Sequence, residues 1–195
     1  MPSDKKILVT GVDSGLGKFI GNSIDNSIKL NRKNKYKVIE ECSSGVDTVI
    51  HCAFNSSRNI NDYYGYYKDN IFLTEQLVKI PCWKFVYISS IDVYREENTF
   101  YKLSKLLSES IVSNLTNNPL ILRCSSIVGK DMRYNSFLKI LREEAPLLTL
   151  TKDSQFNYVL QDDILDFALS YVKGGVVDFV SKTNITLEEV SNMFN

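Results

Sequence analysis

The chain has 195 residues, 44% of them hydrophobic, and its 23 basic side chains balance its 23 acidic ones. This size and apolar content suffice for one compact core, so we expect a single domain over residues 1–195, and the balanced charge gives no support for nucleic acid or a membrane surface as the main partner. No apolar run reaches the ~20 residues of a membrane span and no secretory segment follows the start, which predicts a cytoplasmic protein.

The first predicted strand, residues 6–10, is a short apolar run that leads directly into a glycine-rich turn. After the turn, Phe19, Ile20 and Ile24 can share one face of a helix. A pyrophosphate needs bare backbone N–H groups at a helix N-terminus, and side chains at these positions would keep it away. The turn therefore predicts a dinucleotide site formed by Gly11, Asp13, Ser14, Gly15, Leu16 and Gly17.

Residues 36–40 are predicted to form a second short strand that ends at Glu40, and another strand begins at Val46. A complete dinucleotide-binding fold has a further strand and helix at this point, so the adenine side is predicted to be abbreviated. Glu40 would bind the ribose hydroxyls and favour NAD, whereas Arg32 and Lys33 would suit the phosphate of NADP. The cofactor preference is left open and leans to NAD. The strand from Val46 ends in small residues, and Ala53 and Phe54 are expected to contact the cofactor.

A later strand, residues 85–88, delivers Ser89 and Ser90 at its carboxyl end, where open parallel sheets bind ligands. The helix predicted over residues 101–115 places Tyr101 and Lys105 one turn apart on the same face. A nearby ammonium lowers the pKa of a tyrosine, which makes Tyr101 a candidate general acid or base, with Ser90 holding the reacting oxygen.

The Tyr-x-x-x-Lys pattern is weak by itself, because Tyr64 and Lys68 form a second match. An amphipathic helix that merely exposes a tyrosine and a lysine is the alternative interpretation. The glycine turn upstream and the serines at a strand end favour the catalytic interpretation.

These segments together resemble the short-chain dehydrogenase/reductase family, in particular its extended branch of nucleotide-sugar epimerases and dehydratases, in shortened form. Six further segments carry the resemblance: residues 46–54, Asn70 with the helix that follows it, residues 89–94, residues 122–129, residues 156–164 and residues 185–190. In the last of these, Thr186 is expected to cap a helix and Glu189 to bond back to it. The turn has the Thr-Gly-x-x-x-Gly-x-Gly spacing of the shorter branch, which is a departure.

The resemblance implies a Rossmann-like α/β fold, a doubly wound parallel sheet with a small substrate-side portion at residues 130–195. It implies NAD or NADP as cofactor, Ser90, Tyr101 and Lys105 as catalytic residues, and Asn70 and Cys124 as further cofactor contacts. The substrate would be a small molecule, a nucleotide sugar or a related hydroxyl or carbonyl compound. Net reduction and epimerisation both remain open.

Two further alternatives remain open at this point. Lys130 and Arg133 would either bind a sugar-nucleotide diphosphate or form a solvated basic loop. A non-catalytic dinucleotide-binding or scaffold protein would carry the same fold without the activity. Relatives commonly pair two helices with their symmetry mates, so a homodimer is expected through residues 70–80 and 101–115.

The remaining candidate ligands are interpreted as structural. His51 is the one histidine and lies inside a predicted buried strand. Cys42, Cys52, Cys82 and Cys124 have no paired spacing and are interpreted as reduced thiols, so no metal site is predicted.

Overall fold

The computed structural model describes residues 5–55, 62–142 and 148–194. Its centre is a six-stranded sheet in which every neighbouring pair is parallel. In chain order these strands are β1 (Ile7–Thr10), β2 (Ile28–Leu30), β3 (Val46–His51), β4 (Cys82–Ser90), β5 (Pro119–Cys124) and β9 (Gly175–Phe179). Across the sheet their order is β2-β1-β3-β4-β5-β9. The expected doubly wound α/β fold is confirmed.

Helices cover both faces of the sheet, because successive strand residues point to opposite faces. On one face, α1 (Gly15–Ser23) and α7 (Gln161–Ser170) pack on Val9, Ile50 and Val86. On the other face lie α2 (Lys35–Glu41), α4 (Leu73–Leu77) and α5 (Phe100–Leu115). These two apolar layers fix the positions of the strands, and therefore of the turns and loops that follow their carboxyl ends.

The prediction for residues 36–40 is wrong, because these residues lie in α2 and not in a strand. The second strand is β2, a segment that the sequence analysis did not identify, and it pairs with β1 on the outer side. β2 is nevertheless the last strand on that side, where a fuller dinucleotide fold would continue. The expected abbreviation of the adenine side is therefore confirmed, although its residues were misassigned.

The remaining elements lie around the carboxyl edge of the sheet. They are α3 (Tyr63–Tyr66), a π-helical stretch (Tyr67–Phe72) that joins it to α4, a 3₁₀ turn (Ile91–Tyr94) and α6 (Ser136–Arg142). β6 (Ser126–Val128) pairs with β8 (Tyr158–Leu160), and β7 (Gln155–Phe156) pairs with β10 (Ile185–Thr186). Within the described ranges, no helix has the length and apolarity that a membrane crossing requires.

The last helix, α8 (Leu187–Phe194), begins with the expected capping arrangement. The Thr186 hydroxyl accepts from the N–H of Glu189 at 3.1 Å, and the Glu189 carboxylate accepts from the N–H of Thr186 at 2.7 Å. Helix α5 has a simpler cap, in which the Thr99 hydroxyl accepts from the N–H of Lys102 at 3.1 Å. These caps satisfy backbone donors that would otherwise lack partners.

His51, at the end of β3, is 1% exposed and lies between two threonines. Its Nδ1 is 2.8 Å from the Thr10 hydroxyl, and its Nε2 is 3.0 Å from the Thr74 hydroxyl. Thr10 Oγ1 already accepts from the N–H groups of Cys52 and Ala53, so its proton faces His51. The ring therefore accepts at Nδ1 and donates from Nε2, which requires the neutral form. The structural interpretation of this histidine fits these contacts.

The stability of the protein is predicted to depend on pH through His51. Burial, and secondarily the charge of Lys105, lowers the pKa of His51 to about 3 from its ordinary 6.5. The unfolded chain then binds a proton below pH 6.5 that the native state excludes, so stability is lost as pH falls. Between pH 6.5 and 5 we expect a loss of about 2 kcal/mol in the free energy of unfolding, measured by urea denaturation.

The control is His51→Asn, whose amide keeps hydrogen-bonding capacity but does not titrate. This variant is expected to be less stable overall and to show a flat profile over the same pH interval. An equal slope in both proteins would assign the pH dependence to other groups.

Candidate functional site

The glycine turn between β1 and α1 folds too tightly for side chains. Gly11 has a φ of +75°, and a Cβ there would lie 2.9 Å from the Ala53 backbone. A Cβ on Gly17 would lie 2.4 Å from the carbonyl oxygen of Gly11, so only a bare backbone closes the turn. Gly15 is buried and has a φ of +59°, and a Cβ built there would contact the Arg133 side chain, with Nε at 3.4 Å. The turn fits the pyrophosphate of a dinucleotide.

Two cavities meet at this turn, on the carboxyl edge of the sheet. The first, of about 250 Å³, is lined by residues 14–17 of the turn together with Ser90, Tyr101, Lys105 and Cys124. The second, of about 550 Å³, is lined by Gly11, Asp13, Leu30, Arg32, Lys35 and Ala53. Ser14, Cys52, Phe54 and Arg133 belong to both. The edge lies where the strand order reverses around β1, which is where open α/β sheets bind their ligands.

Tyr101 and Ser90 lie together in the first cavity. The Ser90 hydroxyl accepts from the N–H of Asp92 at 3.2 Å and lines the cavity beside Tyr101. Burial raises the pKa of Tyr101 to about 12, while the Ser90 hydroxyl and the charge of Arg133 act in the opposite direction. Tyr101 is therefore a neutral proton donor at neutral pH in this structure.

Lys105 is 2% exposed and lines the same cavity. Its Nζ donates to the Ile88 carbonyl at 2.7 Å and lies 4.7 Å from the centre of the Phe54 ring. Burial lowers the pKa of Lys105 to about 8. The expected lowering of the Tyr101 pKa by Lys105 is not what this structure shows, because Arg133 is the cation that acts on the phenol. The Lys105 ammonium is directed to the strand carbonyl.

Asn70 lies in the π-helical stretch and is 1% exposed. Its side-chain oxygen accepts from the N–H of Asn55 at 2.5 Å, and its amide donates to the Ser104 hydroxyl at 2.9 Å. Its backbone carbonyl accepts from the hydroxyls of Thr74 and Ser108. Asn70 does not line either cavity, so in this structure it positions α5 and the loop after β3. π-helical turns of this kind recur at functional sites.

A buried ion pair fixes the other side of α5. Glu109, 5% exposed, accepts from Arg123 Nη2 at 2.7 Å and from the Ser89 hydroxyl at 2.5 Å. Arg123 Nη1 also donates to the Tyr94 hydroxyl, which in turn donates to Asp178. Hydrogen bonding to Glu109 raises the pKa of the Arg123 guanidinium, which stays charged. The pair connects α5 to β4 and β5 directly beside Ser90.

Phe54 and Arg133 form the partition between the two cavities. The Arg133 guanidinium lies 4.4 Å from the centre of the Phe54 ring, opposite the bare turn at Gly15. The same ring contacts Tyr101 edge-on, with ring centres 5.5 Å apart. An extended ligand that fills both cavities would pass beside this pair and meet the positive charge of Arg133.

The site therefore contains most of the residues that the sequence predicted. Glu40 and Asn70 are the exceptions. Glu40 lies on the exposed side of α2, Asn70 is buried between α5 and the loop after β3, and neither lines a cavity. The residues that actually follow β2 are Asn31 and Arg32. Sequence reasoning also did not assign two buried polar residues of the first cavity, Ser125 and Gln161. Gln161 lies in the segment 156–164, which carries the family resemblance, directly after β8. A polar residue at that place was the sequence signal that could have indicated it.

The sequence matches the model of one protein family, described as "NAD dependent epimerase/dehydratase family", over residues 3–144. No curated protein matches the sequence significantly.

Solved structures with the same fold include a UDP-glucuronic acid 4-epimerase from Bacillus cereus in complex with UDP-glucuronic acid and NAD. It is 19% identical with a TM-score of 0.79, covering 97% of this chain and 82% of that one. A dTDP-4-dehydrorhamnose reductase from Bacillus anthracis in complex with NADP is 16% identical with a TM-score of 0.83, and the match covers 98% of this chain and 80% of the reductase. A UDP-N-acetylglucosamine 4-epimerase from Methanobrevibacter ruminantium is 16% identical with a TM-score of 0.82, covering 97% and 81%.

Proposed function

We propose that this chain, which belongs to the NAD dependent epimerase/dehydratase family, is an NAD(P)-dependent oxidoreductase or epimerase that acts on a nucleotide sugar. The observation that carries the proposal is that Ser90, Tyr101 and Lys105 line one cavity with residues 14–17 of the glycine turn. A proton donor and a phosphate-binding turn at one cavity suit hydride chemistry at a carbinol or carbonyl carbon. The nucleotide sugars and dinucleotides held by the similar solved structures support the same substrate class.

The turn at Gly11, Gly15 and Gly17 would hold the pyrophosphate, and Arg133 would add positive charge beside it. A bound nicotinamide would accept or deliver the hydride. The second cavity, which extends to β2, would take the adenosine end. The part of the chain from residue 130 onward contributes Arg133 and Gln161 to the first cavity, which supports its assignment to the substrate side.

Tyr101 would exchange a proton with the substrate oxygen, and Ser90 would hold that oxygen by a hydrogen bond. With a pKa of about 12, Tyr101 keeps its proton at neutral pH and is ready to donate it in the direction of reduction. Oxidation needs the phenolate, so positive charge from Lys105 and Arg133 must act on Tyr101 more strongly once ligands fill the cavity. Lys105 would also bind the ribose hydroxyls of the cofactor.

We predict that Tyr101→Phe keeps the fold and dinucleotide binding but lowers turnover by roughly 100-fold or more, because only the proton transfer is removed. Turnover would be followed by nicotinamide absorbance, or by sugar analysis if the net reaction is an epimerisation. The matched control is Tyr64→Phe, since Tyr64 begins the other Tyr-x-x-x-Lys match and is 72% exposed. Comparable turnover in the two variants would sink the assignment of Tyr101.

For the cofactor we propose a preference for NADP. The preference for NAD expected from the sequence rested on Glu40, which lies outside the site. Arg32 and Lys35 line the second cavity just beyond β2, where a basic side chain suits the 2′-phosphate. Arg32 lies 2.8 Å from the carboxylate of Asp69, which holds the guanidinium at the cavity wall.

Replacing Arg32 by Ala is therefore expected to weaken NADPH binding by about 10-fold and to leave NADH binding within about twofold, measured by calorimetry. Lys33→Ala is the control, because Lys33 is exposed and does not line the cavity. Equal losses for both dinucleotides would refute the NADP preference. A wild-type protein that binds neither dinucleotide in either redox state would favour the non-catalytic alternative.

We also propose a homodimer, formed through an exposed apolar stripe on α5. Phe100, Leu103 and Leu107 are 40%, 44% and 48% exposed, and their spacing places them on one helical face. Tyr63 extends the stripe, since its ring centre lies 4.3 Å from that of Phe100. Leu73, in contrast, is buried against the sheet and is not available to a partner.

Leu107→Glu should convert the dimer into a monomer, because a charge in an apolar interface is costly to bury. The mass would be measured by light scattering across a concentration series. Val172→Glu serves as control, because Val172 is equally apolar and 64% exposed outside the stripe. A wild-type protein that stays monomeric at high concentration would refute the dimer.

A further inference from the structure

Two buried polar atoms in the first cavity have no partner within the described part of the chain. They are the hydroxyl oxygen of Ser125 and the amide nitrogen of Gln161. Ser125 is 7% exposed and Gln161 is 0% exposed, and both line the cavity that contains Tyr101. A buried polar atom without a partner costs roughly 1–3 kcal/mol, so such atoms are rare unless a ligand or water satisfies them.

The orientation of Gln161 follows from its other contacts. Its Oε1 accepts from the N–H of Asp131 at 3.3 Å, and a Cβ on Gly129 would lie 2.4 Å from the same oxygen. The absence of a side chain at Gly129 makes room for the amide. Because Oε1 faces a backbone donor, the amide cannot be reversed without losing this bond. The free nitrogen is thus held in place as a donor.

Ser125 is held by its own backbone, whose N–H donates to the Phe179 carbonyl at 3.2 Å. The Ser125 hydroxyl can both donate and accept, whereas Gln161 Nε2 can only donate. Both groups are uncharged. They suit an uncharged oxygen-bearing group, while an anion would be drawn to the cations Lys105 and Arg133, which lie over the Phe54 ring.

We propose that Ser125 and Gln161 form a subsite that binds an uncharged oxygen of the reacting ligand beside Tyr101. The inference rests on the proposed function. The oxygen would come from one of two sources, a hydroxyl of the substrate sugar or the carboxamide of the nicotinamide. Both present an acceptor next to a donor, which is the pattern that Gln161 Nε2 and the Ser125 hydroxyl complement.

The test uses the variants Ser125→Ala and Gln161→Met with two pairs of ligands. The first pair is UDP-glucose and UDP, which differ by the sugar. The second pair is the reduced dinucleotide that the wild type binds and the corresponding ADP-ribose, with its 2′-phosphate where NADPH is the ligand. Dissociation constants would be measured by calorimetry, and Ser113→Ala and Gln155→Met, at exposed positions, are the matched controls.

We expect each subsite variant to lose roughly 3- to 10-fold in affinity for the larger member of one pair. The smaller member of that pair should be unaffected, and the pair that responds identifies the source of the oxygen. The thermal midpoint of Ser125→Ala should not fall, because the variant removes a hydroxyl that has no partner in the free protein. A purely structural serine would instead lower it.

Unchanged affinities in both pairs, or equal losses for both members of a pair, would overturn the subsite. A wild type that binds the dinucleotide but neither UDP nor UDP-glucose would overturn the nucleotide-sugar assignment alone, and the second pair would still decide the subsite. A wild type that binds none of the four ligands would overturn both.

Discussion

One buried chain of hydrogen bonds connects the glycine turn to the helix that carries Tyr101 and Lys105. It begins at Thr10, directly before the turn, passes through the neutral ring of His51 to Thr74, and reaches the carbonyl of Asn70. Asn70 then bonds to Ser104 on α5. Thr10, His51 and Thr74 each donate to the next residue in this series. Protonation of His51 at Nδ1 would therefore break the series of hydrogen bonds.

These hydrogen bonds give Thr10, at the end of β1, a structural role. The Thr10 hydroxyl also accepts from the backbone of Cys52 and Ala53, which lies against Gly11. One hydrogen-bond network therefore joins the turn, the end of β3 and α5, and the Glu109–Arg123 pair fixes the opposite side of α5. In the proposed reaction, this network would hold Tyr101 in place as the proton donor before the substrate binds.

Much of the fold and site could be predicted from sequence because its strongest signals are local. Apolar runs ending in glycines and serines marked β1, β3 and β4, and the spacing of Tyr101 and Lys105 marked a helix face. Residues 36–40 were wrongly predicted as a strand because Val38 and Ile39 fit a short strand as well as one turn of a helix. Strand β2 was not predicted because its three residues are too few to show an alternation of apolar and polar side chains. The partition by Phe54 and Arg133 joins segments far apart in the chain, and no spacing rule encodes such a contact.

The abbreviated side of the sheet has a consequence for how the protein behaves at high concentration. With no strand beyond it in the described sheet, β2 leaves a row of unpaired backbone groups at the sheet edge, where a strand of another chain can pair. Only three residues long, it carries the charged Lys29 at its centre, and β9 at the opposite edge carries Asp178. Short, charged edges resist edge-to-edge association, so the loss of an outer strand need not make the protein prone to aggregation.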